Sequence, residues 1–125
     1  MTVRLPSTSL RPGSRTLRTD GDTITPMIKH IVFWKMKEMP APEREQALLD
    51  LKKGFEALQG VIPGLLRIEF GVDFLRSAQS SDFALYCEFE SRAALDVYQA
   101  HPAHQAMVPK VREVNVERRV VDYDA

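Results

Sequence analysis

The chain has 125 residues, 44% hydrophobic and 27% charged, an ordinary composition for a globular protein that buries a core without disulfides or metal staples. Its 17 basic and 17 acidic side chains cancel, which argues against nucleic acid or an anionic membrane as the main partner. The single cysteine, Cys87, excludes an internal disulfide and fits a reducing, cytoplasmic setting; no Cys/His spacing suggests a metal, and no apolar run reaches the roughly 18 residues of a membrane span.

Residues 1–26 are rich in Thr, Ser, Arg, Pro and Gly, with apolar residues too scattered for a helix or strand period. Such a segment buries too little surface to offset the entropy of ordering, so a disordered N-terminal extension is expected. Arg4, Arg11, Arg15 and Arg18 against Asp20 and Asp22 give it a basic cast, as in a transit peptide. Pro6, Pro12 and Gly13 would break the amphipathic helix that a transit peptide needs. Met27 opens the first clean strand pattern and is a candidate start of translation, so the folded domain is expected over 27–125.

In that domain Ile28, His30, Val32, Trp34 and Met36 share one face of a period-two strand, with Lys29, Ile31, Phe33 and Lys35 on the other. Pro40 and Pro42 end it. A helix is expected from Pro42 to Gln59, with acids in its first turn, a stripe of Leu48, Leu51, Phe55 and Leu58, and Gly60 as its stop. After the turn at 61–64, Leu66, Ile68, Phe70 and Val72 alternate with Leu65, Arg67, Glu69 and Gly71 as a second strand. The third strand sets Phe83, Leu85, Cys87 and Phe89 against Ala84, Tyr86 and Glu88. Ser91 suits the N-cap of a helix over 92–100. Pro102 starts another short helix bearing His104, Met107, Val108 and Val111, which Pro109 should bend or shorten. In the last strand, 116–123, Val116, Arg118 and Val120 oppose Glu117, Arg119, Val121 and Tyr123.

The order β-α-β-β-α-α-β is the α+β, ferredoxin-like pattern, a four-stranded antiparallel sheet with its helices on one face. The bare face would present Ile31, Phe33, Leu65, Ala84, Tyr86, Val121 and Tyr123, a larger apolar patch than monomers usually expose. Two copies packing these faces about a two-fold axis would cover it and form a homodimeric α+β barrel.

The opening MIKHIVFWKMK, the turn VIPG, the segment ALDVYQAHPAHQAMV and the closing RRVVDYDA together resemble the Dabb family, the stress-responsive dimeric α/β barrel proteins. The resemblance covers 27–125 and implies a homodimeric barrel. One branch of that family is olivetolic acid cyclase, a polyketide cyclase. By resemblance to it, Tyr98 and His104 of the Y-x-x-H-P-x-H stretch line a pocket between helices and sheet, and His30 matches the histidine of its opening motif. A further histidine of that enzyme is replaced here by Phe83, so its substrate is not carried over.

The strand and helix periods also bring these groups together, because His30 lies on the helix-covered face and Tyr98 and His104 lie on the helices that cover it. The expected cavity is lined by Val32, Trp34, Leu51, Phe55, Leu85, Met107, Val108 and Val120, apolar with a few convergent polar groups. A positioned imidazole can take a proton beside a carbonyl at neutral pH while a tyrosine hydroxyl donates to the enolate oxygen. No Gly-rich phosphate loop or nucleophile elbow accompanies them, so any such reaction is expected to need no cofactor. Three readings stand open: a stress-related homodimer binding a small apolar carbonyl compound, a cofactor-free cyclase or lyase with His104 as base and Tyr98 as donor, and a structural dimer whose cavity is filled by Trp34 and Met107. In the last, His30 and Tyr98 are packing residues, His101 is a cap, and Cys87 is a small hydrophobe.

Overall fold

Alternating burial in the strands from Ile28 onward builds one sheet, and the helices follow from the stripes that need a surface to lie on. The computed structural model describes residues 17–20 and 23–125, with side chains from Pro26 onward. Four strands, β3 (Ile28–Met36), β4 (Leu65–Val72), β5 (Phe83–Phe89) and β6 (Asn115–Asp124), pair antiparallel in the order β4-β5-β3-β6. Helix α1 (Ala41–Glu56) joins β3 to β4. After β5 come α2 (Arg92–Ala100), α3 (Pro102–Gln105) and α4 (Val108–Arg112). The α+β, ferredoxin-like order expected from the periodicities is the order found.

Leu17–Asp20 (β1) and Thr23–Pro26 (β2) form a separate antiparallel pair, with Arg18 opposite Thr25 and Thr19 opposite Ile24. The expectation of a segment without regular structure therefore does not hold for these residues; Thr23, Ile24 and Thr25 are β-branched and favour extended backbone. Residues 1–16 of that segment, with 21 and 22, lie outside the described residues.

The helix-covered face of the main sheet carries Ile28, His30, Val32, Trp34 and Met36 of β3 and Phe83, Leu85, Cys87 and Phe89 of β5, all buried. Leu48, Leu51 and Phe55 of α1 pack on it, and Trp34, Phe55, Phe70 and Phe83 form a chain of ring contacts through the core. At the start of β4 the register slips: Leu65 opposes Phe89 and Arg67 already opposes Glu88. This irregularity turns Leu65 inward, where it is buried, and corrects its expected place on the bare face. The outer edge of β4 is closed by α1 and the turn after it. Glu56 Oε2 accepts from Phe70 N, the Gln59 side chain accepts from Ile68 N and donates to Leu66 O, and Lys52 Nζ donates to Phe70 O. These bonds satisfy the outward backbone groups that would otherwise recruit a foreign strand.

Ser91 caps α2, its hydroxyl accepting from Ala94 N, and His101 caps α3, its Nδ1 accepting from Ala103 N. The short helix expected after Pro102 is two: Pro109, in the first turn of α4, cannot donate backward, so the chain restarts there. On the bare face, Phe33, Val121 and Tyr123 are 40%, 47% and 44% exposed, with Ile31, Ala84 and Tyr86 half-buried beside them. No helix among the described residues is long and apolar enough to cross a membrane.

Candidate acid–base pocket between sheet and helices

The middle of β3 aligns His30 with Cys87 on β5 and with Asp122 on β6. His30 is 3% exposed, and its Nδ1 bonds to Asp122 Oδ1. A carboxylate only accepts, so Nδ1 carries the hydrogen, and of the two single-proton tautomers the one selected has its lone pair on Nε2. The carboxylate thus fixes both tautomer and orientation, the arrangement that prepares a histidine for proton transfer.

Tyr98, from the last turn of α2, is fully buried among Phe89, His30 and His104, with ring centroids 4.9, 6.1 and 4.3 Å away. Among the described residues its hydroxyl has no full hydrogen-bond partner; the neighbouring Cys87 thiol is only a weak one. Burial, reinforced by Cys87, pushes the phenol's pKa up, so it remains a neutral donor. Burial likewise pushes the Cys87 thiol up to about 12, which leaves it unreactive.

His104 stands on α3 and is half-buried. Its Nδ1 lies 3.3 Å from the Gln99 carbonyl and donates to it, which again leaves Nε2 with the lone pair. Its pKa is lowered, mainly by burial and further by His30 and Arg118, against the opposing effect of the Gln99 bond. The ring is accordingly neutral at physiological pH, as a general base must be.

These three groups open onto one cavity of about 320 Å³. Its apolar walls are Val32, Trp34, Phe55, Leu85, Val108 and Val111; Arg112, Asn115 and Arg118 complete it toward solvent. Of the residues expected to line it, Leu51, Met107 and Val120 do not. Leu51 faces a separate depression with Ala47, Asp50 and Val114. Met107 is buried beneath α1, against the backbone of Gly54. Val120 lies opposite Val32 in register but is 46% exposed, because β6 is an edge strand that the helices do not fully cover. Trp34 forms a wall and leaves the space open.

Asp122, Arg112, Asn115 and Arg118 were not foreseen. The period of two that puts Arg118 and Val120 on the helix side of β6 reaches Asp122 at its next step, and that was the available signal. A larger depression of about 500 Å³ lies beside Phe33, Val72 and Ala84, but Asp73 is its only ionisable lining group, so shape there is not joined by convergent chemistry. Among the described residues no three of His, Cys, Asp and Glu converge as metal ligands.

A dimeric ferredoxin-like protein from Bacteroides fragilis NCTC 9343 is 31% identical, over 79% of this chain and 96% of its own, with a TM-score of 0.74. A dimeric ferredoxin-like protein from Jannaschia sp. CCS1 is 26% identical, over 79% and 99% of the two chains, with a TM-score of 0.61. A Dabb family protein from Mesorhizobium loti MAFF303099 is 25% identical, over 80% and 97%, with a TM-score of 0.63. No curated protein sequence matches the chain. The model of the stress responsive A/B barrel domain, Dabb, matches residues 28–125, and with the fold and strand order above the chain belongs to that family.

Proposed function

We propose that the protein is a cytoplasmic homodimer, joined through its bare sheet face, in which each protomer binds a small apolar carbonyl compound between sheet and helices. The ligand reading rests on the Tyr98 hydroxyl, fully buried in a cavity wall with no full hydrogen-bond partner among the described residues. A hydroxyl left so in a solid core costs about 1–3 kcal/mol, whereas a ligand oxygen in the cavity gives it an acceptor. Phe33, Val121 and Tyr123 support the dimer, as do the dimeric relatives from Bacteroides fragilis and Jannaschia. The test is thermal unfolding with and without an aryl ketone such as acetophenone. The ketone should raise the melting temperature of the native protein and much less that of Tyr98→Phe. If no small carbonyl compound shifts the melting temperature, the cavity is a packing defect and the protein a structural dimer.

A second reading, a cofactor-free cyclase or lyase, is favoured by the His30–Asp122 pair and the neutral His104. Here His104 Nε2 takes a proton from the carbon beside the ligand's carbonyl, and the Tyr98 hydroxyl donates to the enolate oxygen. His30, held by Asp122, orients or relays. Exchange of the ketone's α-protons for deuterium, followed by NMR, should then be accelerated by the native protein and lost in His104→Ala.

A further inference from the structure

Arg112 and Arg118 complete the cavity on its solvent side, and Asn115 adds a half-buried polar side chain between them in sequence. The other lining residues are apolar or are His30, Tyr98 and His104. Not one of the lining residues is an acid. Asp122, the carboxylate of β6 that bonds His30, lines a different depression, with Arg92 and Asp124, and Glu117 pairs with Arg119.

Four of the seven arginines whose side chains are described are paired, and Arg76, away from the cavity, is not. Arg44 pairs with Asp82, Arg67 with Glu69, Arg92 with Asp124, and Arg119, next to Arg118 but on the other face, with Glu117. Among the described residues Arg112 and Arg118 make neither an ion pair nor a side-chain hydrogen bond. The charge of Arg118 reaches both Tyr98 and His104, so it bears on the polar end of the cavity as well as on its mouth.

We propose that the ligand is an anion, a small carboxylate whose charged group is held by Arg118 with Arg112 and Asn115, and whose other end carries an oxygen reaching Tyr98. The inference rests on the ligand reading of the cavity and adds its chemical class. A guanidinium offers a planar fork that fits a carboxylate in bidentate fashion. The apolar body of the ligand lies against Trp34, Phe55 and Leu85. About 320 Å³ gives room for roughly ten non-hydrogen atoms, at about the 30 Å³ each that water occupies in the liquid. An aryl or short alkyl acid with a carbonyl or phenolic oxygen at the far end meets all three demands.

Titration calorimetry with para-hydroxyphenylacetate and its neutral primary amide tests the assignment, with acetophenone as a reference for the cavity. The acid should bind at least about tenfold more tightly than the amide at low salt, and the gap should narrow as salt is added. Arg118→Gln, an exposed position whose folding is checked by an unchanged melting curve, should remove most of that gap by weakening the acid far more than the amide. Tyr98→Phe should weaken both probes alike. If acetophenone binds while acid and amide bind equally, or neither binds, the anion assignment is overturned and the cavity reading survives. If none of the three binds, the cavity reading fails and takes this one with it.

Discussion

Tyr98 keeps a buried hydroxyl without a strong protein acceptor, which sets stability against use. Tyr98→Phe removes the unsatisfied group without changing the ring, so the empty protein should gain about 1 kcal/mol, a few degrees in melting temperature, while losing affinity for an oxygen-bearing ligand. A side chain retained only for packing would show no such trade. His104 gives a pH signature. Its folded pKa lies below its unfolded value, so between the two the unfolded chain binds more protons and stability falls as pH drops below about 6.5. Urea unfolding on either side of that pH should show the loss, and His104→Gln should flatten this part of the profile. The histidines and the tyrosine were legible in the sequence, since a polar residue in an apolar strand period, or beside a helix-breaking proline, stands out against its neighbours. Asp122 was not: in an edge strand ending Val-Val-Asp-Tyr-Asp, an acid reads as ordinary solvent-facing polarity until its register with His30 is known.

Among the elements, the turn that delivers β4 to the sheet is the most constrained. Gly60 and Gly64 both have left-handed backbones, at φ +82° and +83°, but a Cβ on Gly60 would meet nothing within 4 Å, whereas one on Gly64 would lie 2.6 Å from the Cβ of Ala94 in α2. Gly60→Ala should therefore cost only the backbone strain, about 1–2 kcal/mol. Gly64→Ala should cost clearly more by denaturant unfolding, because α2 must also shift. Comparison of the two separates strain from contact. Strands β3 and β5 were readable from alternation alone, because both are central and each residue's face is decided by burial. The edges were less so. The slip at Leu65 has no sequence marker, and the exposure of Val120 depends on how far the helices extend. The β1–β2 pair has no hydrophobic period to announce it. Leu51 and Met107 were assigned to the core correctly but to the wrong part of it, since a helical stripe specifies a face and not the cavity beside it.

For the whole molecule, the bare sheet face should set the oligomeric state. Phe33→Asp would place a charge amid Ile31, Ala84 and Val121; the dimer should weaken by at least about a hundredfold, and sedimentation at micromolar concentration should find monomers. Because association stabilises the native form, the melting temperature of the native protein should also rise with its concentration, and that of the variant should not. A native protein that sediments as a monomer at the same concentration would remove the dimer from the proposal.

Strand β6 supplies Asn115, Arg118 and Asp122, while the rest of the pocket comes from segments made before it. As the ribosome extends the chain, the helices and three strands can gather while the imidazole of His30 still lacks its carboxylate. On the proposed ligand reading, a chain that stopped before β6 would keep the greasy hollow and Arg112 but lack Arg118 and the carboxylate that orients His30, and it should not hold the ligand.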